Sequence, residues 1–90
     1  MIRNVVMVKL TGDADRARVA ELQAGLRALN TPGTLQFTLG DDAGLREGNW
    51  DYAIVADFSD AEAYRVYDMD DEHNRLRAAL APFALQANGR

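Results

Sequence analysis

Apolar and polar residues alternate along residues 2–10, with Ile2, Asn4, Val6, Val8 and Leu10 on one face and Arg3, Val5, Met7 and Lys9 on the other. The stretch is rich in β-branched side chains and stops at Thr11-Gly12-Asp13, so it predicts a first strand ending in a turn. Both faces are apolar at the centre, and such a strand needs cover on two sides, which one layer of helices cannot give. Asp13 or Asp15 then caps a helix expected to run to about Leu29, with Val19, Leu22, Leu26 and Leu29 on one stripe and Arg16, Arg18 and Arg27 left to solvent. Asn30-Thr31-Pro32-Gly33 stops it. Residues 35–39 predict a short second strand with Leu35, Phe37 and Leu39 on one face, residues 40–49 a loop, and residues 52–58 a third strand, opened by Trp50.

Ser59-Asp60-Ala61-Glu62 has the spacing of a capping box with Ser59 as the cap, which starts a helix at Asp60 with Ala63, Tyr64 and Tyr67 on its buried face. The pattern breaks at Asp68-Met69-Asp70-Asp71. A last helix over residues 72–80 places His73, Leu76 and Leu80 at i, i+3 and i+7, before Pro82 ends it and residues 83–86 offer a final strand. The order β-α-β-β-α-(α)-β is that of the α+β, ferredoxin-like arrangement: a four-stranded antiparallel sheet with helices on one face. The other sheet face, carrying Val5 and Met7, is left apolar, and a homodimer through that open face is the simplest cover, because a two-fold axis lets one surface satisfy itself.

Composition narrows the chemistry. Ninety residues, 48% hydrophobic and 27% charged, suit one domain over residues 1–90, with no repeat and no run of apolar residues able to span a bilayer. The N-terminal stretch has too short an apolar run for a signal peptide, so a cytoplasmic protein is expected. With no cysteine there is no disulfide framework, thiol nucleophile or zinc ribbon. The net charge is −4, and seven carboxylates stand against the single base Arg65 between Asp57 and Glu72, a surface that repels phosphate backbones; nucleic acid is not expected as a partner.

Few residues are left to carry chemistry. The sole histidine, His73, shares its stripe with Leu76 and Leu80 and so faces the space between helices and sheet; a neutral imidazole there is either a general acid or base or a packed core histidine. Tyr67, on the inward face of the preceding helix, offers a phenol to a ligand oxygen or to that imidazole, or is a core aromatic like Tyr64. Asn4 is the odd polar residue on the apolar face of the first strand and must bind a ligand, tie to a neighbour or sit at an exposed strand end. Asp68, Asp70, Asp71 and Glu72 lack the spacing of a calcium loop and read as a solvated acidic corner, so no metal site is expected.

The stretch Ile2-Arg3-Asn4-Val5-Val6-Met7-Val8-Lys9-Leu10 resembles the opening strand of the stress-responsive dimeric α/β-barrel (Dabb) family, written I-R-H-V-V-x-F-K. Trp50 to Phe58, then Ala63 to Tyr67, then His73 follow that family's third strand, helix and terminal histidine in order. The resemblance implies a homodimer whose two sheets form a barrel, each subunit keeping a cavity between its sheet and helices. In the family a plant polyketide cyclase uses a tyrosine and a histidine six residues apart, with no cofactor, and this pair matches Tyr67 and His73. The wall positions fall on Asn4, Val6, Val8 and Ile54, with Leu76 expected to add to the wall from the helix side. Two departures stand out: the family's H-P-x-H is Asp70-Asp71-Glu72-His73 here, and its first-strand histidine is Asn4.

Three readings follow. The first is a homodimer holding a small apolar molecule in that cavity, with cofactor-free cyclase- or lyase-like acid–base chemistry if it is an enzyme. The second is a non-catalytic, stress-associated structural dimer whose cavity is filled by side chains. The third is a dimeric α/β-barrel monooxygenase or a haem binder with His73 as ligand.

Overall fold

The computed structural model describes residues 1–88. Strand β1 (Ile2–Leu10) is followed by helix α1 (Arg16–Arg27), strands β2 (Thr34–Asp41) and β3 (Tyr52–Phe58), helices α2 (Ala61–Asp68) and α3 (Asp71–Leu80), a 3₁₀ turn (Ala81–Phe83) and strand β4 (Ala84–Asn88). The four strands form one antiparallel sheet in the order β2-β3-β1-β4. This is the expected ferredoxin-like α+β fold.

The alternation of β1 survives into the register. Asn4 lies opposite Ala56, Val6 opposite Ile54 and Val8 opposite Tyr52 on the face that meets the helices. Arg3 lies opposite Asp57, Val5 opposite Val55 and Met7 opposite Ala53 on the other face. Val8 and Leu10 are buried, while Val5 and Met7 remain 45% and 43% exposed, so the second face is an apolar surface that the helices do not reach.

Several boundaries differ from the sequence reading. Asp15 is the cap of α1, its side chain accepting from the Arg18 N–H at 3.1 Å, and the helix closes at Arg27, before Leu29. Strand β2 is longer than residues 35–39 and takes Gly40 and Asp41 from the expected loop. A register shift between Thr34 and Gln36 turns Leu35 out of line with Phe37 and Leu39, and it is 60% exposed. The cap of α2 is Asp60, not Ser59: the Ser59 N–H is held by the Gly33 carbonyl at 2.9 Å, the chain stays extended one residue longer, and the Asp60 carboxylate accepts from Ala63 N–H at 2.8 Å. The last strand runs past residue 86 to Asn88.

The helices bury two clusters against the sheet. One joins Val19, Leu22 and Leu26 of α1 to Leu76 and Leu80 of α3 over Val8, Leu39, Tyr52 and Ile54. The other sets Ala63 and Tyr67 of α2 on Ala56 and Phe58. Gly25 lets α1 and α3 approach, since a Cβ there would come within 2.7 Å of Leu76 Cδ2. Among the described residues no helix is long and apolar enough to cross a membrane.

Candidate functional site

Between the sheet and helices α2 and α3 lies a cavity of about 500 Å³. Its floor is Asn4, Val6 and Val8 of β1 with Tyr52 and Ile54 of β3, and its sides are Tyr64, Tyr67 and Asp68 of α2 and His73, Asn74 and Arg77 of α3. Space remains here because the chain that closes the far side carries small side chains: Ala78, Ala81, Ala84 and Ala87 all line it. Leu85 and Gln86 are exposed and form part of the rim.

Two caps place the aromatic pair. The Asp60 carboxylate starts α2, so that Ala63 and Tyr67 come round to the inner face one turn apart. After α2, the Asp70 N–H returns to the Tyr67 carbonyl at 3.2 Å, and the Asp70 carboxylate then caps α3 by accepting from His73's own N–H at 2.9 Å. The tight connection stacks the last turn of α2 on the first turn of α3. The Tyr67 and His73 rings are therefore 4.3 Å apart, centroid to centroid, with a 41° tilt. Phe37 and Phe58 hold Tyr67 from behind, at 6.3 and 5.1 Å.

Burial sets the protonation of the phenols. Tyr67 is pushed up to about 12 by loss of hydration, with help from the nearby Asp68 carboxylate and from Tyr64. Tyr52, on the floor, is likewise pushed up to about 12 by burial and by Asp41. Both are hydrogen-bond donors at neutral pH.

The cavity gathers Asn4, Val6, Val8, Ile54, Tyr67 and His73. Leu76 is not part of it. It shares a helical stripe with His73 and Leu80, which do line the cavity, but Leu76 packs against Gly25 of α1 with 2% of its surface exposed. In its place the cavity takes two residues sequence reasoning did not name, Asn74 and Arg77. With Ala78 and Ala81 they repeat at i, i+3, i+4 and i+7, a second stripe beside the apolar one, polar and small, which is the signal that could have found them. Among the described residues, Asn74 Oδ1 and Arg77 Nη1 are buried without a hydrogen-bond partner; Asp68 Oδ1 stands 3.9 Å from that Nη1, an ion-pair distance too long for a hydrogen bond. No three His, Asp or Glu side chains among the described residues gather as a metal site.

An apolar-walled cavity with a phenol donor, an imidazole and a guanidinium at one end can orient a small molecule and exchange a proton with it. Relatives of the fold are consistent in shape and diverse in chemistry. No curated protein matches the chain significantly. Among solved structures, a dimeric ferredoxin-like protein of unknown function from Thermobifida fusca is 24% identical, with a TM-score of 0.86 over 98% of this chain and 85% of that one. A hydroxynitrile lyase from Passiflora edulis is 13% identical, with a TM-score of 0.80 over 96% of this chain and 85% of that one. A Nitrosomonas europaea protein provisionally called an antibiotic biosynthesis monooxygenase is 11% identical, with a TM-score of 0.76 over 100% of this chain and 94% of that one. At these identities they share the fold and nothing finer. The family model of the stress-responsive A/B barrel domain matches residues 2–87, and the chain therefore belongs to the stress-responsive A/B barrel (Dabb) family.

Proposed function

We propose that the protein is a homodimer that binds a small, mostly apolar molecule in the cavity of each subunit and acts on it by acid–base chemistry without a cofactor. The observation that carries this reading is the cavity itself: about 500 Å³, with the Tyr67–His73 pair at one end of an apolar wall. Ligand pockets span roughly 300 to 1,000 Å³, whereas a structural dimer with a packed interior would leave little more than water-sized voids. Asn4, Val6, Val8 and Ile54 form the wall that orients the molecule. His73 takes a proton alpha to a carbonyl, and Tyr67, protonated at neutral pH, donates to the enolate oxygen that develops.

The dimer is supported by the open sheet face, where Val5 and Met7 stand exposed beside Val55 and Ala53, and by neighbours of the same fold that are described as dimeric. A lyase on this scaffold supports proton-transfer chemistry as within its reach, by analogy of fold.

Native mass spectrometry of the purified protein, followed by a ligand-soaked crystal, tests both halves. The expected result is a species of twice the chain mass with a small-molecule adduct, and density for the molecule beside His73. A bare monomer at micromolar concentration would overturn the dimer, and a cavity that stays empty through soaking would overturn the ligand. A Soret band on adding haemin, lost in His73→Ala, would replace this reading with a haem site.

A further inference from the structure

One unpartnered donor, Arg77 Nη1, says what kind of molecule the cavity takes. We propose that it is a carboxylic acid with an apolar tail: the carboxylate is held by Arg77, with Asn74 beside it, and the tail lies along Val6, Val8 and Ile54. The inference rests on the reading of this cavity as a ligand site.

A guanidinium nitrogen buried without an acceptor is a donor in surplus, and an unmet buried donor is costly unless something satisfies it. Arg77 Nη1 is such a donor, and it lines the cavity. The Asp68 carboxylate is 3.9 Å away, close enough to feel the charge and too far to take the hydrogens. An incoming acceptor oxygen takes them, and a charged one forms the stronger bond, because arginine is always ionised and its planar fork matches a carboxylate. Asn74 lies one turn back on the same stripe; its Nδ2 hydrogens can serve the second carboxylate oxygen, and its unmet Oδ1 can accept from a hydroxyl on the same molecule. The other charged side chains on α3 and at its cap are engaged or directed elsewhere: Glu72 pairs with Arg75 on the outer surface, Asp71 is exposed outside the lining, and Asp70 caps the helix. Among the described residues, Arg77 and Asp68 are the only Lys, Arg, Asp or Glu residues in the lining.

The chain's net charge of −4 works against an anion. That repulsion comes mostly from exposed carboxylates and is screened by salt over about 8 Å at physiological ionic strength, whereas the contact with Arg77 is direct and partly shielded from water. The short-range term therefore decides.

Calorimetry with octanoate and with octanamide, its neutral counterpart of nearly equal shape, separates this inference from the reading it rests on. Wild-type protein is expected to bind octanoate roughly tenfold or more tighter than octanamide. Arg77→Gln should erase that preference while keeping octanamide affinity, which also reports an intact cavity. Asp68→Asn, which removes the competing carboxylate, should raise octanoate affinity, and a protein that gains nothing would count against Arg77 as the partner of the carboxylate. Equal binding of acid and amide by the wild type, or a preference that persists in Arg77→Gln, overturns the inference and leaves the ligand site standing. Binding of neither overturns both. Should Arg77→Gln fail to fold, the wild-type ratio and Asp68→Asn decide alone.

Discussion

Tyr67 and His73 belong to different helices, yet their rings lie 4.3 Å apart, facing one cavity. The contact is made by the two-residue connection, Met69 and Asp70, whose Asp70 caps α3 through the His73 N–H. Tyr67→Phe keeps the ring packed on Phe37, Phe58 and His73, so folding stability should change by no more than about 1 kcal/mol. Loss of the hydroxyl should cut turnover of a carbonyl substrate by about a hundredfold, as for other lost oxyanion donors. His73→Gln should abolish proton abstraction. Thermal melts beside single-turnover assays check this, and a Tyr67→Phe protein that is fully active would remove Tyr67 from the chemistry.

Gly33, at the entry to β2, packs against the start of α2 at a place where an added Cβ does not fit. Its φ is +82°, and a Cβ would meet Ala63 Cβ at 2.5 Å and Ser59 Oγ at 2.9 Å. Left-handed backbone costs an L-residue about 1 to 2 kcal/mol, and overpacking against α2 adds about 1 to 3 more. Gly33→Ala should therefore lose about 2 to 4 kcal/mol in urea denaturation and shift α2, loosening Tyr67. A loss below about 1 kcal/mol would mean that α2 yields easily.

These features differ in how visible they are along the chain. The alternation Ile2 to Leu10 specifies both the strand and its two faces, because a period of two leaves no other assignment for Val6 and Val8. The cap of α2 was not legible: Ser59 and Asp60 are both good caps, and the hydrogen bond from Ser59 N–H to Gly33, 26 residues away in sequence, decides between them. Leu35 alternates correctly with Phe37 and Leu39, and only the pairing with β3 shows the slip that exposes it. On α3 the apolar stripe is plain, but which flank of it meets the cavity depends on where β4 and α1 sit. For that reason Leu76 goes to α1, and Asn74 and Arg77 take the site.

The open face offers a direct test of assembly. Val5 lies opposite Val55 in the middle of the sheet and is 45% exposed. Val5→Glu places a carboxylate on that face in both copies of a two-fold dimer, with no partner, at a cost of about 3 kcal/mol or more. The dissociation constant should rise at least about a hundredfold, while the far-ultraviolet circular dichroism keeps its shape, since Val5 does not touch the helical core. Sedimentation equilibrium reads the change. A Val5→Glu protein with unaltered mass in solution would place the interface elsewhere.

The same face carries an ion pair that ties two strands together. Arg3 Nε donates to Asp57 Oδ1 at 2.7 Å and Nη2 to Oδ2 at 3.0 Å, a two-pronged contact between β1 and β3 in which the Asp57 side chain is 8% exposed. These hydrogen bonds, with the arginine's charge, outweigh the desolvation of the carboxylate and hold Asp57 below its ordinary value of 3.8. A carboxylate whose folded value is lowered stabilises the fold at pH above its unfolded value, and that contribution disappears as pH falls through the lowered one. Arg3→Gln should therefore melt below the wild type at neutral pH, and the gap should narrow only in acid, beneath the ordinary aspartate range, and close there. Asp57→Asn should follow the same course. The measurement is a series of melts from about pH 7 to about pH 2 at one fixed protein concentration, so that any change of assembly on this face is held constant. A gap of the same size across the whole series would show that Arg3 contributes through packing of its stem rather than through its charge.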